Sequence, residues 1–412
     1  MFWFPVYPYA CLSIDCSWFD WFRALRRAIY TGEKRSVLLK NLTKAFSDED
    51  NVIVSISVRT AFDVYLRALN MPKGSEILMT AINIPEMVRI IKLHGFVPVP
   101  VDVEVDTLAV TPDKLEAAIT DKTKLIIATF TYGVRYDLTE IAKVAKKHNL
   151  PILEDCAQGY IGQSYKGDPN ADVTVFSFGP IKHATTFQGA VMIIRKNPFI
   201  LQQAKLIHDT YPIQSGKIYL KKIIKYSGGI VLLNIRWLNY ILRPFLLKAK
   251  FDYKKRVVSL LRGFAPGQGL EVYRFRPCTA MLSFLWRRIS HFDEKKFMEG
   301  MKNMQEGTDI LIKGGVTVPG LNPKDRTFWL YPIVAQDSKK AYDVLNNAGI
   351  DTYSGISQLY AVPVPEGSNI PKPEKSYEMF KNLLYLPIHK DVPKKDIIAI
   401  CKHTVKLLNP KL

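Results

Sequence analysis

Lys182 stands a few residues beyond a β-branched run, in "FSFGPIKHATTFQGA", residues 176 to 190, where its amine is placed either as a surface charge or as a covalent anchor. Asp155 closes the apolar run "PILED", and Gln158 follows three residues later. A carboxylate there serves as a helix N-cap or as the partner of a protonated ring nitrogen. Ser177, five residues before the lysine, is a natural phosphate ligand, and "SVRTAF" opens a helix at Ser57, Val58 and Arg59. The first backbone N–H groups of a helix lack intrahelical acceptors and suit an anion. Together the four features match the needs of pyridoxal phosphate. That cofactor requires a lysine for a Schiff base and for proton transfer, an acid to keep its ring nitrogen protonated, and donors for its phosphate.

The elements around these residues alternate. "NVIVSI" leads into a helix at "SVRTAFDVYLRAL", and strands "EILMT", "VPVPVDV", "KLIIATF" and "PILEDC" are separated by helices "EMVRIIKLHG", "PDKLEAAI" and "LTEIAKVAKKHN". Continuous apolar strands alternating with helices predict a mostly parallel sheet covered on both faces, with ligands at the carboxyl ends of its strands. "ADVTVFSF", "GAVMIIR" and "FWLYPIV" are further strands, and helices are expected at Ser36 to Phe46, "DEKKFMEGMKNMQEGTDILIK", "DSKKAYDVLNNAGID" and "KDIIAICKHTVKLL". The expected division is an apolar arm over 1–34, a cofactor-binding α/β domain over 35–215, a basic apolar segment over 216–265, and a smaller C-terminal α+β domain over 266–412.

Charge narrows the partners. The 57 Lys and Arg against 38 Asp and Glu give a net charge of +19, which attracts anions of any kind. Residues 217 to 262 hold 12 Lys or Arg and one acid, Asp252, among many Ile, Leu, Tyr and Trp. Arg236 and Arg243 interrupt the apolar run and argue against a membrane span. The segment suits a helix in an anionic headgroup layer, through Trp237, Tyr240 and Phe245, or a helical excursion packed on this chain or on a second subunit. No nucleic-acid-binding module accompanies the charge. The aromatic stretch "MFWFPVYPYACLSIDCSWFDWF" lacks the positive start of a secretory signal; it reads as a membrane-interface anchor or as an arm across a dimer. Five scattered Cys predict reduced thiols and a cytosolic setting, and the histidines show no metal-ligand spacing.

The chain resembles the DegT/StrS family of fold-type-I sugar aminotransferases. "AITDKTKLII", "GFVPVPVDVEVDTL", "YGVRYDLTEIAKVAKKHNLPILEDCAQ", the "FSF" to lysine spacing and "NLLYLPIHKDVPKKDI" carry the resemblance over roughly residues 35 to 410. It implies that Lys182 holds the cofactor covalently, Asp155 meets the pyridine nitrogen and Gln158 touches the face of the phenolic oxygen. Ser57, Val58, Arg59 and Ser177 bind the phosphate, and Arg276 and Tyr132 are candidate substrate contacts. The family builds each site from two subunits, so a homodimer is implied. It also has a dehydratase branch with histidine in the lysine position; Lys182 argues against that branch, and His183 reads as a loop residue. Cys156 is expected to pack beneath the cofactor.

Three departures stand out. Arg59 lies in a turn that is usually small, "MTAINIPEM" offers only Ile82, Asn83 and Ile84 where a ring-stacking aromatic is usual, and the loop after Lys182 keeps only Gly189. The implied activity is transfer of an amino group, with glutamate as donor, to a nucleotide- or lipid-linked keto sugar in glycan or polysaccharide biosynthesis. The alternatives are a pyridoxal phosphate enzyme acting on a non-sugar or lipid-derived ketone, and an inactive membrane-associated scaffold.

Overall fold

A computed structural model describes residues 7–30, 32–248, 254, 268–321, 325–354 and 359–409. Among the described residues, nine strands and nine helices lead from Tyr7 to Lys248. The strands are β1 (Val52–Ser55), β2 (Glu76–Thr80), β3 (Ile82–Asn83), β4 (Val97–Val101), β5 (Thr123–Thr129), β6 (Val134–Arg135), β7 (Ile152–Cys156), β8 (Val173–Ser177) and β9 (Ala190–Ile194). The helices are α1 (Trp18–Ile29), α2 (Arg35–Phe46), α3 (Val58–Leu69), α4 (Pro85–Leu93), α5 (Pro112–Ala118), α6 (Thr139–Lys147), α7 (Pro198–Asp209), α8 (Gly216–Asn234) and α9 (Arg236–Lys248).

Seven strands form one sheet in the order β1-β9-β8-β7-β5-β2-β4. β9 runs against both of its neighbours, whereas β8, β7, β5, β2 and β4 are parallel. Alternate side chains of a strand face opposite sides of its sheet, and here both sides are dry. Ile77, Met79, Leu125 and Ile127 join the layer of α3, α4 and α7; Leu78, Ile126 and Ala128 join the layer of α2, α5, α6 and α8. This is the sandwiched, mostly parallel α/β sheet expected from the apolar runs.

Beyond the basic segment, strands Tyr331–Val334, Leu383–Leu386 and Tyr353–Ser354 form a small sheet. Helices Glu294–Lys313, Ser338–Asn347 and Lys394–Leu408 pack on it in a cluster of their own. Helix Thr279–Ser290 behaves differently, burying Met281, Phe284 and Leu285 in the larger cluster with α2 and α8.

Residues 9 to 16 of the arm pack into the interior of their own chain. Tyr9, Ala10, Leu12, Ile14 and Cys16 are buried within their own chain. Cys11 N–H donates to Asp351 Oδ2 at 2.9 Å, and Asn234 Nδ2 donates to the Ile14 carbonyl at 2.7 Å. Asp15 pairs with Arg288 at 3.2 Å and Lys390 at 3.0 Å, and these cations hold its carboxyl well below the usual range. α1 follows, opened by Ser17, whose Oγ accepts from Asp20 N–H at 3.1 Å while the Asp20 carboxylate returns the bond, a reciprocal cap.

The basic segment resolves into α8 and α9. Its continuation over 249–253 and 255–262 lies outside the described residues, as does the side chain of Phe245. Among the described residues no helix is long and apolar enough to cross a membrane, and no cluster of His, Cys, Asp and Glu could hold a metal ion. The five cysteines are buried and form no disulfide.

Candidate active site

One cavity, of about 170 Å³, lies at the carboxyl ends of β1, β7 and β8 and draws in most of the residues expected there. β1 ends at Ser55, and the chain turns through Ser57, whose Oγ accepts from Thr60 N–H at 3.2 Å and so caps α3. Val58 and Arg59 then line the cavity from the first turn of α3. Arg59 reaches Glu86 of α4 at 3.6 Å.

Asp155 enters from β7. Its Oδ1 accepts from Ala157 N–H at 2.9 Å, and burial holds the carboxyl above its ordinary range despite Lys182 nearby. Gln158 lines the same wall with its Oε1 fixed by Tyr132 N–H at 2.7 Å. That bond leaves the amide's two N–H donors on the side away from Tyr132.

β8 delivers Ser177 and then Lys182. Lys182 N–H donates to the Gly179 carbonyl at 3.1 Å, and Thr185 Oγ1 donates to the same carbonyl at 2.6 Å. The Thr pair thus satisfies the backbone of a tight loop in which Ala184 and Phe187 take positive φ, 51° and 65°, a conformation that side-chain-bearing residues adopt at a cost. Ala184 N–H is held by Asp15 Oδ2 at 2.6 Å. Lys182 is half-buried, with its open part toward the cavity. Its ammonium sits 3.5 Å from the centre of the Trp329 ring, and the indole N–H donates to the Ile181 carbonyl. Desolvation outweighs the attraction of Asp155 and lowers the Lys182 pKa to about 7.

Two expected substrate contacts are not in this cavity. Tyr132 is fully buried at φ 59°, its ring edge-on to Tyr385 with centroids 5.8 Å apart. Tyr385 lines the cavity, and Tyr132 supports it from the core. Arg276 is turned to Asp209 at 2.9 Å and to the Tyr211 carbonyl at 2.8 Å. His183 is buried with its ring edge-on to Phe297, centroids 4.9 Å apart, and burial lowers its pKa to about 4. Cys156 is fully buried in the core and does not line the cavity.

Residues that sequence reasoning missed complete the walls. Ile82, Asn83 and Ile84 are present, but the aromatic surfaces come from Phe187, Tyr226, Trp329 and Tyr385. Lys222 and Tyr226 arrive from α8, inside the segment whose composition suits a bilayer surface or a helix packed on this chain or on a second subunit.

Residues 23–223 match the DegT/DnrJ/EryC1/StrS aminotransferase family. Over these residues the chain is similar to the members of that family. Solved structures extend the likeness to the whole fold. DesV of S. venezuelae superposes with a TM-score of 0.65 at 19% identity, covering 94% of this chain and 95% of that one. NtdA of Bacillus subtilis, which holds bound PMP, gives 0.64 at 18%, covering 94% and 82%. A family aminotransferase from Brucella abortus gives 0.66 at 18%, covering 93% and 95%. The chain thus has the fold of those proteins.

Proposed function

We propose that the chain transfers an amino group from an amino acid, with glutamate as donor, to a keto sugar carried on a nucleotide or a lipid. The reading rests on one observation: a lysine of lowered basicity and a buried carboxyl share a cavity with the open N-terminus of α3. The residues fit pyridoxal phosphate. Lys182 Nζ would hold it, Asp155 would meet its ring nitrogen and Gln158 its phenolic side, while Ser57, Val58, Arg59 and Ser177 would take its phosphate. When bound, the cofactor supplies an electron sink for the bond-breaking at the amine carbon.

The chain's own residues then have definite tasks. A neutral amine is the form that accepts a proton, and a pKa of about 7 leaves Lys182 half in that form at neutral pH. Trp329 holds the ammonium form on its face; loss of the proton removes that attraction and releases Nζ toward the cavity. Asp155 is costly to ionise alone, so a cationic ring N–H against it is matched to this position. Tyr226, Phe187 and Trp329 narrow the cavity and limit water.

Lipid linkage and a membrane setting are supported by a different feature. α1 and α8 are joined by the Trp21 indole N–H and the Ile223 carbonyl at 3.3 Å. Outward they show Trp18, Phe19, Phe22, Ile218 and Ile224 beside Arg26, Lys217, Lys221 and Lys225. Such a mixture suits an anionic bilayer surface. Binding to vesicles containing phosphatidylglycerol but not to neutral ones, at low salt, is the expected result. No binding, with this face buried in a homodimer by sedimentation and cross-linking, would assign it to the second subunit.

The function itself is tested by titrating the purified protein with pyridoxal phosphate. A visible absorption band, fixed by borohydride onto Lys182 in peptide maps and bleached by glutamate, is expected. A band that glutamate leaves unchanged would favour another donor or a non-sugar ketone, and no binding at all would favour the scaffold.

A further inference from the structure

We propose that Lys222 of α8 is a phosphate ligand of this cavity, acting beside Arg59. The inference rests on the reading that the cavity takes pyridoxal phosphate and a phosphorylated substrate. Lys221, Lys222 and Lys225 lie within one turn or so of each other, yet only their orientation to the fold differs. Lys221 and Lys225 face solvent, whereas Lys222 is turned inward and lines the cavity with Ser57 and Arg59.

Its position is fixed. Lys222 Nζ donates to Gln188 Oε1 at 2.5 Å, and Gln188 Nε2 donates to Gln214 Oε1 at 2.6 Å. This amide relay orients the ammonium without adding a negative charge. Burial and the charges of Lys225 and Arg59 lower the Lys222 pKa to about 8, and the Arg59 charge also reaches Tyr226 one turn further along α8. Two cations and a helix N-terminus therefore converge on one corner. An arriving dianion relieves their repulsion and competes with Glu86 for Arg59. A phosphate group fits this chemistry, whether it belongs to the cofactor or to the diphosphate of a substrate.

The test uses Lys222→Gln and the charge-conserving Lys222→Arg. Pyridoxal phosphate and pyridoxal are titrated into the cofactor-free protein, and inorganic diphosphate into the cofactor-loaded protein. Loss of a charge-assisted hydrogen bond is expected to weaken the affected phosphate ligand about 10- to 100-fold, with Lys222→Arg close to wild type and pyridoxal unchanged. Weaker pyridoxal phosphate binding assigns the residue to the cofactor; weaker diphosphate binding alone assigns it to the substrate. Unchanged affinity for both ligands, in a Lys222→Gln protein that melts like wild type, overturns the proposal. Should wild type bind no pyridoxal phosphate, the proposed function fails, and diphosphate titration of the cofactor-free protein still decides the role of Lys222.

Discussion

Lys182→Met removes the amine while keeping an unbranched side chain, and the structure sets the effect of that change on stability against pH. The folded pKa of about 7 lies below the ordinary 10.5. Between those values the unfolded chain carries a proton on Lys182 that the folded chain lacks, so this residue makes stability rise with pH. The contribution is fully lost below about pH 7 and fully recovered above about 10.5. One proton corresponds to about 1.4 kcal/mol per pH unit. From pH 7.5 to 9.0 that amounts to about 2 kcal/mol, reduced to about 1–2 kcal/mol because the amine faces a cavity that admits water. Urea unfolding of cofactor-free wild type and Lys182→Met at both pH values isolates the term, since the other titrating groups are shared. Wild type should gain about 1–2 kcal/mol more than the variant on going to pH 9.0. Equal gains would mean that Lys182 ionises as an exposed lysine, and the argument for its lowered basicity would fall.

Other expectations follow from single contacts. Gly133 has φ 75°, and a Cβ there would lie 1.7 Å from Thr327 Oγ1 and 2.6 Å from the Gln158 carbonyl. Gly133→Ala should therefore lose about 2–4 kcal/mol in thermal unfolding, and Thr327→Gly in the same protein should return part of it. Tyr132→Phe should keep kcat/KM within about three-fold, as expected of a hydroxyl remote from the reacting atoms; a ten-fold loss would restore Tyr132 as a substrate contact. Asp15→Asn leaves Arg288 and Lys390 short of a partner and should lower stability by about 2–3 kcal/mol, below the value for a fully buried pair because Asp15 is partly exposed. A melting temperature equal to wild type would show that the arm is held by its apolar residues alone.

What the sequence revealed and what it hid differ in physical kind. Asp155, Gln158, Ser177 and Lys182 lie within residues 155 to 182, at the ends of two neighbouring strands, so their meeting follows from local pattern and the geometry of a parallel sheet. Lys222, Trp329 and Tyr385 reach the same cavity from distant parts of the chain. Nothing local marks them, because their placement depends on how helices and a second sheet pack. Tyr132 lies outside the cavity for the opposite reason. It sits inside a recognisable run, but its left-handed backbone directs the ring into the core. The arm was ambiguous because aromatic residues suit a bilayer, a partner or the chain's own interior, and only tertiary packing separates them. In α1 that choice is split between two faces, with Ala24 buried and Phe22 exposed.

The clasp formed by Asp15 has a consequence for the order of folding. It joins Ala184, two residues from Lys182, to Lys390 near one end of the sequence, while Asp15 itself lies near the other. Such contacts carry a large loop-closure entropy and form late. During synthesis the sheet can be assembled well before Lys390 has left the ribosome, yet until then the loop bearing Lys182 lacks one of its supports. A nascent chain would accordingly acquire its sheet before the loop bearing Lys182 has all of its supports.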